Sequence, residues 1–180
     1  AQATILGHGS GASVATAFAD AHPDRVARLI LRAPMVLSDD DRETVGPHYA
    51  EPIVPAADAS HLIKLWFALR GEQLFWPWYD ERVETIRDAE PDIDPTVLTE
   101  RAVAILKHYK NYEPVYRAMF ADDLRTRLKT INVPTLVCST ERDVFHLFAA
   151  NAAALVPRAA HAALTDDAAL TAAIDGFLST

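Results

Sequence analysis

The chain has 180 residues, half of them hydrophobic, with 17 basic against 25 acidic side chains and a formal net charge of −8. That length supports a domain with a substantial core, the acidic balance argues against a nucleic-acid partner, and no apolar run approaches the ~20 residues of a membrane span. The single cysteine, Cys138, excludes an intrachain disulfide and the thiolate-rich zinc patterns.

No cofactor or metal is implied by the remaining residues. No basic segment followed by a long apolar one opens the chain, so the expected location is the cytoplasm. In chain order, 3–6 read as the last part of a buried parallel strand and lead into Gly7-His8-Gly9-Ser10-Gly11. An alanine-rich helix over about 10–22 buries Val14, Ala15 and Phe18, ends at His22-Pro23-Asp24, and gives way to a short apolar strand over 27–31. Strand, helix and strand with tight links make a βαβ unit and therefore a parallel sheet.

From 35 to 55 the periodicity weakens, and Ser38-Asp39-Asp40-Asp41 reads as a solvated turn or helix cap. Residues 58–70 form a helix with Leu62, Ile63, Leu65, Trp66 and Leu69 on its apolar face. The aromatic run 74–79 follows; Pro77 is placed to start a helix to about 89 with Val83 and Ile86 inward. A helix over 95–109 and another from Pro114 towards Lys129 complete a helical middle section. Residues 131–138 return to the sheet with Cys138 buried, Ser139-Thr140-Glu141-Arg142-Asp143 follow, and helices over 146–155 and 168–178 flank the stretch holding His161.

Gly7-x-Gly9-x-Gly11 after a strand, His22-Pro23-Asp24-Arg25-Val26 after the helix, and Val133-Pro134-Thr135-Leu136-Val137 leading to Asp143 together resemble the α/β-hydrolase family. The resemblance implies an α/β fold: the C-terminal part of an α/β-hydrolase, with a parallel sheet, flanking helices and a helical cap insertion. Residues 1–37 would be core sheet and elbow helix, 38–129 the cap, and 130–180 the return to the core. Gly7 and Gly11 are expected because a side chain at either would collide in the tight strand-to-helix turn.

The same resemblance implies the site. Asp143 matches the acid of the triad and His161 the base, the latter in a loop; Gly9 stands at the nucleophile position, where serine is expected. The backbone N–H of Ser10 would form half of an oxyanion hole. Trp66, Trp76, Trp78, Tyr109 and Tyr112 are the candidates for an apolar substrate pocket. Residues 155–160 leave little room for a further strand between Asp143 and His161; His146 is the substitute base, with a helix-cap or surface role preferred for it.

A glycine at the nucleophile position leads to the expectation that direct activity is lost or is general-base only, through engineering or natural divergence. The substrate would be a small or medium apolar ester, amide or carbon–carbon compound. The alternative is a non-catalytic ligand-binding or regulatory relative, and a different class of reading is a mainly helical interaction module. A second polypeptide, or a further N-terminal segment, is expected to complete the sheet.

Overall fold

Four short apolar runs pair into one parallel sheet in the sequential order β1-β2-β3-β4 in the computed structural model, which describes residues 1–179. The strands are β1 (Ala3–His8), β2 (Val26–Arg32), β3 (Thr135–Thr140) and β4 (Ala159–Leu164). β3 is buried along its whole length, and Leu29, Ile30 and Leu31 of β2 are fully covered. Continuous apolar burial is what an inner parallel strand requires, because helices close both faces. The register places His8 beside Arg32 and Arg32 beside Cys138, so the carboxyl ends of three strands lie level.

Helix α1 (Ser10–Ala21) links β1 to β2, α8 (His146–Leu155) links β3 to β4, and α9 (Asp167–Leu178) follows β4. Strand alternation sends Ile30, Leu136 and Cys138 to one face, where Leu170, Ile174 and Phe177 of α9 meet them. Cys138 is fully buried, donates to the Leu31 carbonyl at 3.9 Å, and is pushed by burial up to about 11. No full strand fits before His161: β4 starts only at Ala159, pairs with β3 over its full length, and carries His161 inside it instead of in a loop.

The turn from β1 into α1 depends on its glycines unequally. Gly9 has φ +55°, a conformation that side chains rarely adopt, and its N–H donates to the Arg32 carbonyl at 3.0 Å. A Cβ on Gly7 would strike the Gly11 carbonyl oxygen and sit 2.7 Å from Ala12 Cα, both backbone atoms. A Cβ on Gly11 would meet nothing within 4 Å, so the collision expected there does not occur. Gly7→Ala is therefore expected to cost about 3 kcal/mol or more, whereas Gly11→Ala, in a helix, should gain up to about 1 kcal/mol. Urea unfolding of the two variants checks the contrast.

Contacts divide the chain into two units: Ala1–Ser38 with the chain from Asp122 onward, and Asp39–Ala121. Helix α7 (Leu124–Thr130) belongs with the sheet. Its Arg127 bridges Asp122 and Asp20, and Thr130 donates to Asp20 at 2.7 Å.

The second unit holds α2 (Asp39–Thr44), α3 (Gly46–Tyr49), α4 (Ser60–Leu74), α5 (Pro95–Leu106) and α6 (Tyr109–Ala121). Of the turn or helix cap expected at Asp39-Asp40-Asp41, the helix start is what forms: the run is the first turn of α2, where acidic side chains suit the positive end of the helix. Leu65, Leu69, Leu98 and Ala102 form the apolar contact between α4 and α5. Asp94 caps α5, accepting from the Thr96 and Val97 N–H groups.

Beside that core, buried Glu72 accepts from the Tyr49 hydroxyl at 3.2 Å and from Arg101 at 2.7 Å. Burial raises the Glu72 carboxyl, and the Arg101 charge and hydrogen bonds offset only part of it. The helix expected from Pro77 to about 89 is absent. Phe75 and Ile86 instead form an antiparallel bridge around a 3-10 turn at Val83–Thr85, leaving Val83 79% exposed rather than inward.

Candidate active site

The carboxyl ends of β1, β2 and β3 bring together His8, Arg32, Ser139 and Thr140, with Asp143 and His146 in the turn that follows. This is where open parallel sheets place their ligands. Ser139 points inside β3 and is fully buried; its Oγ lies 3.0 Å from Nδ1 of His146, the first residue of α8. A serine hydroxyl paired with an imidazole nitrogen is the arrangement from which an activated nucleophile arises.

The tight turn between them is fixed by Asp143. Its N–H donates to the Thr140 carbonyl and its own carbonyl accepts from the His146 N–H, each at 3.0 Å. Its carboxylate Oδ2 accepts from the Thr140 N–H at 2.8 Å, and from the Thr140 hydroxyl at 3.2 Å. Arg32 donates from Nε to both carboxylate oxygens, at 3.1 and 3.2 Å, and its Nη2 lies 3.0 Å from Oδ1. Nη2 of Arg32 also reaches Asp167 at 3.1 Å. His8 Nε2 lies 3.2 Å from Asp143 Oδ1.

Burial by itself would raise the Asp143 carboxyl. Hydrogen bonds from His8, Arg32 and the Thr140 N–H, with the Arg32 charge, outweigh burial and hold it well below the usual carboxylate range.

The Ser139–His146 pair overturns the expectation of a lost nucleophile. Glycine at position 9 does not leave the protein without a serine–histidine pair, and the readings of engineered or natural loss and of general-base-only activity fall with that expectation. Gly9 is instead a backbone device: the turn into α1 needs its positive φ. Ser10 is the first residue of α1, and its N–H has no hydrogen-bond partner among the described residues.

The structure does not bring His161 to Asp143. His161 sits in the body of β4, exposed and level with Val137, and the histidine on Asp143 is His8. Among the aromatics, Trp78 and Tyr112 line a cavity within the helical unit. Trp66 packs against the Leu65–Leu98 cluster, Trp76 lies against the Tyr49 ring, and Tyr109 opens α6.

His8, Arg32, Ser139 and Thr140 are not singled out by the sequence. The strand expected to end at 138 runs on to Thr140, which buries Ser139, and only the turn after it brings His146 back. His8 is hidden between glycines, although its place at the end of a strand feeding a tight turn was a usable signal.

No protein-family model matches the chain, and no curated protein does. Solved structures do. A thermophilic esterase from Thermogutta terrifontis superposes with a TM-score of 0.67 at 20% identity, over 99% of this chain and 65% of that one. The enol-lactonase from Burkholderia xenovorans LB400 gives 0.64 at 22%, over 100% and 66%. An alpha/beta hydrolase from Sphaerobacter thermophilus DSM 20745 gives 0.54 at 18%, over 98% and 67%.

The fold is that of the α/β hydrolases. Likeness at these identities extends to the fold alone, and the chain spans between 53% and 68% of the lengths of such structures. In this α/β-hydrolase fold the four-stranded parallel sheet with its flanking helices is the shared core. Among the described residues no helix is long and apolar enough to cross a membrane.

Proposed function

We propose that the protein is a serine hydrolase of esters or lactones, with Ser139 as nucleophile and His146 as general base. The observation that carries this reading is the 3.0 Å contact between Ser139 Oγ and His146 Nδ1 at the carboxyl edge of an α/β-hydrolase sheet. The fold is shared with an esterase and an enol-lactonase.

Oγ attacks the acyl carbon while Nδ1 takes its proton, and the same proton then goes to the leaving alkoxide. Water, deprotonated by His146, releases the acid from the acyl-enzyme. Asp143 acts as a positioning residue, holding the 140–146 turn on which His146 is carried. Because Ser139 is fully buried, substrate reaches it only when that turn opens.

Residues 39–121 are proposed to be the cap insertion of the fold. β1 is an outer strand with Leu6 53% exposed, and we propose that another strand of the complete fold pairs with this edge.

Incubation with a fluorophosphonate tests the nucleophile. Oγ forms the phosphorus–oxygen bond, fluoride leaves, and His146 takes the proton. The expected result is one adduct, mapped by peptide mass to Ser139. An adduct on another residue, or none on the folded protein, would reduce Ser139 and His146 to a structural pair.

A further inference from the structure

The helical unit contains a cavity of about 380 Å³, lined wholly by residues within 39–121, none of them assigned a part in the Ser139 chemistry. Its volume falls within the ~300–1,000 Å³ of small-molecule sites. The walls are apolar and in part rigid. Tyr49 is fully buried, with its hydroxyl on Glu72, and its carbonyl accepts from the Trp78 Nε1–H at 2.7 Å. Leu65 is buried between α4 and α5. Tyr49 and Leu65 thus form a rigid backing, and the half-buried Trp78 ring with Ile53 and Ala68 makes a preformed apolar surface, which a ligand need not order on binding.

The polar side of the cavity comes from few groups. Lys64 lines it and makes no ion pair among the described residues. His61 lines it with Nδ1 already accepting from the Ala56 N–H at 3.1 Å, so the ring proton of the neutral imidazole sits on Nε2, a donor. The Tyr112 hydroxyl has no hydrogen-bond partner among the described residues, and burial keeps that phenol protonated. Glu51 is the one carboxylate of the lining, and it is exposed. The Asp58 carboxylate accepts the Ser60 N–H at 3.0 Å, which takes that donor out of the cavity's polar set. Glu72 lies behind Tyr49, neutralised by Arg101.

Donors thus outnumber acceptors around an apolar chamber. We propose that this cavity binds a small apolar carboxylate, its hydrocarbon or aryl body against Ile53, Ala68 and Trp78 and its charged group held by Lys64, His61 and Tyr112. Glu51 weakens the attraction without cancelling it.

Three probes with one body and different charge test this: 3-phenylpropionate, 3-phenylpropan-1-ol and 3-phenylpropylamine, titrated calorimetrically into the intact chain. The carboxylate is expected to bind at least 5-fold tighter than the alcohol, and the amine weakest. Lys64→Met should weaken the carboxylate by about 5–10-fold and leave the alcohol unchanged. Glu51→Gln should tighten the carboxylate by about 2–3-fold.

Both variants alter exposed side chains, so loss of folding does not blur the result. Binding of the amine or the alcohol as tightly as the carboxylate overturns the inference. So does a Lys64→Met protein that binds 3-phenylpropionate undiminished, or the absence of saturable binding by any probe. Because no step involves Ser139, the inference stands or falls apart from the proposed hydrolysis: Ser139→Ala should leave these affinities unchanged.

Discussion

Ser139→Ala is expected to lower ester turnover by about 10³-fold or more, with the protein still folded. The substitution removes a single buried hydroxyl whose partner is His146 Nδ1. Its cost to stability should be about 1–2 kcal/mol, the penalty of leaving that nitrogen unpaired.

A loss of this size in kcat, with KM little changed, separates a nucleophile from a packing residue, because a structural serine would move stability and not the chemical step. His146→Ala should fall by a similar factor, and the double variant by little more, since nucleophile and base act as one unit. Hydrolysis of a p-nitrophenyl ester series by the three variants, beside their urea unfolding curves, makes the comparison. Turnover by Ser139→Ala within a few-fold of the parent would remove Ser139 from the mechanism.

Asp143→Asn should destabilise the sheet-bearing unit by about 2–4 kcal/mol, because it leaves Arg32 and His8 beside an uncharged amide. The effect belongs in the lower part of the range for broken buried pairs, since a quarter of the Arg32 side chain and 55% of that of His8 remain in water. The sign with pH follows from the direction of the Asp143 shift. Its carboxyl titrates lower in the folded chain than in the unfolded one, so the folded state prefers the ionised form. The stability this contributes is complete above the unfolded value near ~4 and disappears as the pH falls through the lower, folded value. Parent and variant should therefore differ fully at pH 7 and converge at acid pH, as urea midpoints across that range would show. A difference that persists unchanged at the acid end would place the loss in packing instead of charge.

Much of the sheet was legible because burial leaves a plain trace. The run 27–31 became β2 within a residue, since an inner parallel strand must be apolar throughout, and the helix over 10–22 became α1; 3–6 fall in β1, but as an outer strand exposed at most positions instead of the buried one expected. β4 was harder. Its alternation of alanines around His161 has almost no apolar bulk, as suits an outer strand half in water, so it read as loop.

The helical unit misled at Val83 and Ile86. They carry helical spacing, yet local pairing of Phe75 with Ile86 and the exposure of both side chains defeat it. Pro114 was read as a helix start, but α6 begins at Tyr109 and carries Pro114 in its second turn. Asp143 could be found from its turn, but its partners could not. His8 and Arg32 are brought to it by strand register, which no local pattern encodes, whereas Thr140 meets it within its own turn.

The strand order has a kinetic consequence. β1-α1-β2 and β3-α8-β4 are each local units whose strands pair across short connections, whereas the β2–β3 ladder must close a loop that includes the whole of 39–121. Closing a flexible loop costs entropy that grows with its length. A folded insert behaves as a far shorter tether than a disordered one. The two halves of the sheet are therefore expected to form before the ladder that joins them, and φ-values for β2–β3 contacts below those within each half would show it.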